Sequence, residues 1–476
     1  MPWPKTATVA RELLISTLAT ACSVAFVAVW LGPPNLSVRR RSIAFVLLAS
    51  TVSFHAVRHY VFFRLLAATG LAQQSWARAG YYIVCACCFL GSCSFVVQYF
   101  FAHAQHDAGG DPPAILMNMS RMLGFVWILI MALVSLDVLC WLGSRLLLFL
   151  ARSKKRDLTT RATVKENSNF AAAQHFDQST MRLRAAISVI WAVLVAAVGS
   201  VVALEDPVVN NIEIVIPHLP KEAEGFSIVQ LSDLHIGVSV GKSRMRRTIQ
   251  LANKVCGDAC GAFVLTGDVV DADPDAVGLA INVLGELSDN AEAKLYVTGN
   301  HEHIHGEVEK VVDRLAELGV HHLENDKVRL RDGGVVIAGV YDITAPRMTS
   351  HLAPDMARAL RGASQRHLSR DGTNGQSSKL MTSPAVVLLA HQPNHFNEAA
   401  SFNFVDLVLS GHTHAGQFFP ATLGAWLFNT KFSGFYPSAA GQPAIYVSAG
   451  THFFGPPIRF TTHHHEITRL TLTSKK

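Results

Sequence analysis

Long apolar stretches in the first 205 residues constrain the folding of this 476-residue chain more than any other feature. A helix of about 20 apolar residues spans a bilayer, and five stretches have roughly that length. They run over about 13–31, from about 42 onward, and over 81–101, 123–142 and 185–204. We therefore predict a multi-pass α-helical membrane domain over residues 1–204, with about five transmembrane helices and the lipid bilayer as its partner.

A dense basic segment, Arg145 to Arg184, lies between the fourth and fifth apolar stretches. Its central basic residues are not interleaved with aromatic residues, so we predict a cytosolic loop and no nucleic-acid partner. The fifth stretch then crosses the bilayer and places everything after residue 204 on the non-cytosolic side. In this topology the sequon Asn118-Met119-Ser120 lies on that same side, where glycosylation requires it.

The eight cysteines do not identify a compartment. Six lie in the apolar stretches, where a cysteine packs as a small hydrophobic residue. Cys256 and Cys260 form the only pair in the second half of the sequence, and their spacing allows a disulfide without indicating one.

After residue 204 the long apolar runs give way to short ones. Short β-branched runs alternate with helical periodicity, as at Val308, Val311 and Leu315, which predicts an α/β domain over residues 205–476. A polar stretch over 361–383, rich in Ser, Gly and Arg, is predicted to be a flexible insertion. Buried strands are predicted over 226–231, 262–266, 294–298, 335–340, 385–390 and 405–410.

Five short polar motifs follow predicted strands, in the order SDLHIG, TGDVVD, TGNHE, LLAHQP and SGHTHAG. In an open α/β sheet the binding crevice lies beyond the carboxyl ends of the strands, so distant motifs converge there. Alternate residues of a strand point to opposite sides, so Asp-x-His and His-x-His need a bend, which Gly411 permits in the last motif. The candidate site residues are Asp233, His235, Asp268, Asn300, His301, His391, His412 and His414.

These residue types indicate a metal centre. Carboxylate, amide and imidazole ligands without a thiolate suit hard-to-borderline divalent cations such as Mn, Fe or Zn. Without His301, the seven other candidates are too many ligands for one tetrahedral site but suffice for two ions if a carboxylate bridges them. Two metals about 3.5–4 Å apart clamp the attacking and leaving oxygens of a phosphoryl displacement, so the motifs predict a phosphoryl-transfer site.

The motifs resemble those of the calcineurin-like metallophosphoesterases, whose pattern is Asp-x-His, Gly-Asp, Gly-Asn-His-Asp/Glu, a lone His and Gly-His-x-His. The segments GHTHAGQFFPATLGAWLFNTKFSGFY, VSAGTHFFGPPIRF and EITRLTL further resemble the YkuE/YaeI-type branch of that family. The resemblance covers about 226–472 and departs at Ala415, where Gly is frequent in the branch. It implies a four-layered α/β/β/α metallophosphoesterase sandwich after the membrane domain.

The resemblance also implies a role for each residue. A hydroxide held between two metal ions would attack phosphorus, and His301 would lie over the site. His301 would protonate the leaving oxygen or stabilise the phosphoryl oxygens, without being a metal ligand. One metal would be held by Asp233, His235 and His414, the other by Asn300, His391 and His412, and Asp268 would bridge the two.

Several residues near the motifs have more than one interpretation. His303 and His305 either line the mouth of the site or belong to a solvated loop. Asp271 either contacts the metal ligands without binding the metal itself or caps a helix. The run His463–His465 is predicted to be an exposed turn ahead of the last strand.

Together these features predict a membrane-tethered, binuclear metal-dependent hydrolase of phosphoric esters. Its phosphoester substrate would be a phosphomonoester, a phosphodiester or a lipid pyrophosphate, and the tether favours a lipid-linked one. The alternative is a membrane receptor or transporter with a regulatory or structural metal site, although a binding protein has no need of His301. The sequence assigns neither the metal nor the oligomeric state.

Overall fold

The computed structural model of the chain describes residues 178–474 except 238, 273, 276, 306–307, 350, 366–382, 420 and 440, together with scattered residues from 110 to 146. The predicted spans at 13–31, from 42 and at 81–101 lie outside the described residues, and the span at 123–142 is described only at scattered positions. The fifth predicted span coincides with helix α1 (Gln178–Leu204). Its segment Ala186–Leu204 is long and apolar enough to cross a membrane.

Two six-stranded sheets follow α1. The strands of the first are β1 (Val208–Val215), β2 (Ser227–Leu231), β3 (Cys260–Thr266), β4 (Ala291–Val297), β5 (His321–His322) and β12 (Glu466–Thr473). Their order in the sheet is β1-β12-β2-β3-β4-β5. Strands β2 to β5 are parallel to one another, so the carboxyl ends of β2, β3 and β4 meet at one edge.

The strands of the second sheet are β6 (Asp326–Leu330), β7 (Val335–Gly339), β8 (Ala385–Leu389), β9 (Leu407–Ser410), β10 (Gly434–Tyr436) and β11 (Ala444–Val447). Their order is β10-β11-β9-β8-β7-β6, and the four inner strands are parallel. The carboxyl ends of β8 and β9 therefore also lie side by side.

Helices cover the outer faces of the sheets. The helices after α1 are α2 (Lys242–Cys256), α3 (Gly278–Ile281), α4 (Asn300–His305), α5 (Val308–Glu317), α6 (Ala345–Met348), α7 (Met356–Leu360), α8 (Phe396–Ala399) and α9 (Ala421–Phe428), of which α9 has no buried residue. One core contains Met245 of α2 and Phe263 of β3. A second lies between the sheets, where Ile228 of β2 packs with Ile337 of β7. Helices α7 and α8 contribute to a third. The layers therefore run helix, sheet, sheet, helix, and the predicted α/β sandwich is confirmed.

The six predicted strands correspond to β2, β3, β4, β7, β8 and β9, with ends that differ by a few residues. Strand β1 was not predicted. It is an edge strand that pairs with β12 alone, and its Asn211 and Glu213 side chains are exposed. Because one side faces solvent, β1 lacks the continuous apolar run of a buried strand. Of the predicted insertion, residues 366–382 lie outside the described residues.

Cys256 and Cys260 are joined by a disulfide, which the sequence allowed but did not indicate. The bond links the last residue of α2 to the first residue of β3. Whether two sulfurs this close in sequence meet depends on the turn between them, and that turn is set by how α2 packs on the sheet.

The residues from Gly199 to the C-terminus belong to one compact unit, which therefore includes the last residues of α1. Within it, the backbone N–H of Arg459 donates to the carbonyl oxygen of Gly199 at 2.8 Å. Nη2 of Arg244 donates to the carbonyl oxygen of Leu204, also at 2.8 Å. These bonds join the end of α1 to the sandwich, while the boundary at 204/205 stays a prediction.

Candidate metal centre

The five polar motifs begin at the carboxyl ends of β2, β3, β4, β8 and β9. The backbone bends sharply at several of them, with left-handed φ values of 57° at Asp233, 52° at Asp268 and 72° at His412. Non-glycine residues rarely adopt such angles, and this kind of strain gathers at functional sites. Gly411 is required by crowding, because a Cβ there would lie 2.3 Å from Oδ2 of Asp233.

Asp233, His235 and His414 form a first buried cluster. Nε2 of His235 lies 2.9 Å from Nε2 of His414, which in turn lies 3.4 Å from Oδ1 of Asp233. Nδ1 of His235 donates to Oδ1 of Asp271 at 2.7 Å, so Nε2 carries the lone pair when the ring is neutral. One carboxylate oxygen and two imidazole nitrogens are thereby presented to a common point.

Asn300, His391 and His412 form a second cluster. Nδ1 of His391 donates to the carbonyl oxygen of Thr266 at 2.7 Å, which leaves Nε2 facing Oδ1 of Asn300 at 3.1 Å. Nδ1 of His412 lies 2.8 Å from the same Asn300 oxygen. The Asn300 oxygen and the two facing ring nitrogens thus lie within about 3 Å of one another, as ligands of one cation would.

Asp268 lies between the two clusters. Its Oδ2 is 3.2 Å from Nε2 of His391 in the second cluster and 3.9 Å from Nε2 of His235 in the first. Burial would raise the pKa of Asp268, but the imidazoles of His391, His301 and His235 hold it well below its usual range. An ionised carboxylate that faces both clusters is what a bridging ligand requires.

The charge states of two of the four candidate ligand histidines, His412 and His414, suit metal binding directly, whereas burial is outweighed by Asp271 at His235 and by Asp268 at His391, where the pKa is raised. Burial, with His391 nearby, lowers the pKa of His412 to about 4. Burial, with His235 nearby, lowers the pKa of His414 well below its usual value. Both rings are therefore neutral at neutral pH, as ligands must be. The donors are oxygen and imidazole nitrogen with no thiolate, a set that fits divalent cations such as Mn, Fe or Zn.

His301 lies beside the two clusters. Its Nδ1 is 2.7 Å from Oδ1 of Asp271, and its Nε2 is 3.9 Å from Oδ2 of Asp268. Burial lowers the pKa of His301, yet the carboxylates of Asp268 and Asp271 outweigh it and raise the pKa to about 10. His235, Asp271 and His301 are also close enough to hold an ion, but both Nδ1 atoms point at one carboxylate oxygen. We therefore interpret Asp271 as a residue that contacts the Nδ1 side of a metal-binding histidine, which is one of its two predicted roles.

Two residues of the site were not found from the sequence. The Glu302 carboxylate accepts N–H groups of Val269 and Gly299, both at 2.6 Å, and so ties two of the motif turns together. Burial, with Asp268 nearby, raises the pKa of Glu302 to about 7. The ring of Phe454 lies 5.3 Å from that of His235 and 4.9 Å from that of His301, between centroids. Glu302 was visible inside the TGNHE motif, and Phe454 lies inside the quoted segment VSAGTHFFGPPIRF, but nothing in that segment marks it as a site residue.

Other histidines lie away from their predicted positions. His303 is fully buried and its Nε2 lies 3.1 Å from Oγ1 of Thr298, so it neither lines the mouth nor lies in a solvated loop. The side chain of His305 lies outside the described residues. His464 is exposed as predicted, but His465 is buried, because it directly precedes β12 and its ring packs near Phe453. The prediction of an exposed turn is therefore wrong for His465.

Comparison with known proteins gives matches over this part of the chain. A family model described as calcineurin-like phosphoesterase matches residues 226–416. A Bos taurus transmembrane protein with metallophosphoesterase domain is 33% identical over 303 residues, which are 61% of this chain and 63% of that protein. A Danio rerio protein of the same description is 31% identical over 63% of this chain and 64% of its own length. The chain thus spans less than two thirds of these two relatives.

A bacterial relative is covered more fully. An uncharacterized metallophosphoesterase from Aquifex aeolicus is 31% identical over 243 residues, which are 51% of this chain and 82% of that protein. The residues matched by the family model, 226–416, include every motif of the candidate metal centre, from Asp233 to His414.

Proposed function

The chain belongs to the calcineurin-like phosphoesterases, a family of metal-dependent phosphoester hydrolases, and on that premise we propose that it is a membrane-tethered, binuclear hydrolase of phosphoric esters. The observation that carries the proposal is the position of Asp268. Its carboxylate faces Nε2 of His391 on one side and Nε2 of His235 on the other. A single ionised carboxylate between two ligand clusters is the feature expected of two ions that act together.

The proposed metal ligands divide into two sets that share one residue. Bound divalent ions would supply positive charge that activates water and neutralises the phosphoryl oxygens. Manganese, iron and zinc all accept this donor set, so the metal stays open. The first set is Asp233, His235 and His414, the second is Asn300, His391 and His412, and Asp268 belongs to both.

The role that we propose for His301 is to protonate the leaving group. The oxygen of water bonds to phosphorus while the ester P–O bond breaks, and the leaving oxygen takes a proton from Nε2 of His301. The proton that the attacking water loses passes to solvent, from which the His301 ring is protonated again. Its pKa of about 10 supports a protonated ring at neutral pH. Asp271, whose Oδ1 lies 2.7 Å from Nδ1 on the opposite side of the ring, favours a ring orientation with Nε2 toward the site.

The membrane tether is proposed from α1 and from the relatives named as transmembrane proteins. We extend it to a multi-pass domain over 1–204 and place the hydrolase domain, 205–476, on the non-cytosolic side. The basic segment from 145 to 184 supports that orientation. The disulfide between Cys256 and Cys260 supports it independently, because disulfides persist in oxidising compartments.

The proposal is tested with the full-length chain purified in detergent, stripped of metal and then supplied with Mn²⁺. Chromogenic phosphomonoesters and phosphodiesters are the substrates, and the His412→Ala and His464→Ala variants are compared. We expect metal-dependent hydrolysis that His412→Ala loses, while His464→Ala, an exposed histidine outside the site, retains it. Metal binding without hydrolysis of either ester class would favour a receptor or transporter with a structural metal site.

A further inference from the structure

Helix α9 (Ala421–Phe428) is apolar and has no buried residue. Trp426 is 61% exposed and Phe428 is 80% exposed, and Phe419 just ahead of the helix is 52% exposed. No charged side chain occurs between His414 and Lys431. An apolar helix in a globular protein is normally buried, so a surface of this kind marks a contact with something outside the described residues.

The helix is held firmly at the rim of the metal centre. At its start, Thr422 packs against Gly416 so closely that a Cβ on Gly416 would lie 2.1 Å from Cα of Thr422. At its end, Nδ2 of Asn394 donates to the carbonyl oxygen of Phe428 at 3.2 Å. Gly416 follows His414 by two residues and Asn394 follows His391 by three. The position of α9 is therefore fixed by the turns that carry two proposed ligands.

One loop connects this rim to the end of α1. Its residue Arg459 donates its backbone N–H to Gly199 of α1 at 2.8 Å, and the next residue, Phe460, donates to the carbonyl oxygen of Gln417 at 2.8 Å. Nε2 of Gln417 also donates to the carbonyl oxygens of Phe454 and Pro456. The segment that leads into α9 is thus bonded to the same loop that holds the end of the membrane-spanning helix.

The side chains of α9 and its link to α1 indicate that this surface contacts a lipid bilayer. Trp and Phe side chains prefer the boundary between headgroups and acyl chains, and a short uncharged segment enters it without burying a charge. Gly199 lies in the last turns of the segment that we propose crosses the bilayer, and one loop links it to the segment that leads into α9. The described part of the chain offers no comparable feature that would hold a protein partner beside α9.

We propose that α9 inserts into the surface of the bilayer that α1 spans, and that it holds the metal centre against the lipid headgroups. This inference rests on the proposed function and narrows its substrate class to phosphoesters carried by lipids. The exposed ring of Phe454, which contacts both His235 and His301, lies where the apolar part of such a substrate would enter.

Photo-crosslinking tests the insertion without reference to activity. A diazirine amino acid replaces Leu427, which is 59% exposed on α9, in the full-length chain held in nanodiscs of phosphatidylcholine and phosphatidylglycerol. The matched control carries the same group at Glu317, an exposed position at the end of α5. We expect lipid adducts at 427 and not at 317. Adducts to protein, to a second copy or to water alone at 427 would overturn the proposal.

Kinetics in the same nanodiscs tests the substrate class. The Trp426→Ser/Leu427→Ser variant should hydrolyse phosphatidic acid or phosphatidylglycerol about tenfold or more slowly, because two apolar side chains no longer enter the bilayer. Its hydrolysis of a soluble chromogenic ester should equal that of the wild type. Equal lipid hydrolysis in both proteins, or hydrolysis of soluble esters alone, would contradict a lipid substrate. If the wild type hydrolysed no ester at all, the proposed function would be refuted, whereas the crosslinking result would be unaffected.

Discussion

Nδ1 of His301 lies 2.7 Å from Oδ1 of Asp271. The same oxygen accepts from Nδ1 of His235, also at 2.7 Å. One carboxylate outside the proposed ligand set therefore orients both a metal-binding ring and the proposed proton donor. Because the Asp271 carboxylate is hydrogen-bonded to one of these rings and ion-paired with the other, a change there should disturb catalysis more than it disturbs the fold.

Asp271→Asn should reduce turnover by about 10–100-fold, the usual cost of losing a carboxylate behind a metal-binding histidine. The neutral amide also lowers the pKa of His301, so the alkaline limb of the pH–rate profile should move to lower pH. Asp271→Glu should restore part of both effects. Wild-type turnover and an unmoved profile in Asp271→Asn would contradict this role.

His301→Ala should leave metal content unchanged and reduce turnover by about 10²–10⁴-fold, as expected when a general acid is lost. The reduction should be largest for esters with poor leaving groups, since these depend most on a proton donor. Elemental analysis alongside steady-state kinetics checks both parts. A parallel loss of bound metal would identify His301 as a ligand.

The motif residues and most buried strands were predictable because each depends on a local pattern. A buried parallel strand such as β3 needs a continuous apolar run, and a turn with a polar residue follows it. The double contact of Asp271 and the position of Phe454 were not predictable, because each depends on how separate loops pack together. Strand β1 was not predicted for a related reason: polar residues interrupt its Val and Ile residues, and its partner β12 lies at the far end of the domain sequence.

Acid should destabilise the hydrolase domain through His322. Burial lowers the pKa of this ring from 6.5 to about 4, and the ring packs near Tyr296 and Tyr341. The folded state therefore favours the neutral ring, and this stability is complete above pH 6.5 and lost as the pH falls toward about 4. The full effect would be roughly 3 kcal/mol.

The measurement for His322 is thermal unfolding of the full-length chain in detergent between neutral pH and pH 4.5. His322→Phe should flatten the acid side of the stability profile, while the exposed neighbour His321 serves as the control in His321→Phe. Identical acid slopes for the wild type and His322→Phe would show that this ring does not set the acid stability.

The hydrolase domain should lie on the non-cytosolic side. A C-terminal epitope tag on the full-length chain should resist protease added to the cytosolic face of sealed microsomes, and detergent should expose it. Asn118 should become glycosylated, because its sequon lies on the same side. Digestion of the tag without detergent would reverse the topology and leave the hydrolase assignment intact.

The most direct test of a two-metal centre is metal content measured together with hydrolysis in the wild type and Asp268→Asn. We expect two divalent ions per wild-type chain, because Asp268 faces both clusters. The substitution should weaken both sites and abolish hydrolysis when metal is limiting. Near-normal hydrolysis by Asp268→Asn at limiting metal would contradict the two-metal assignment.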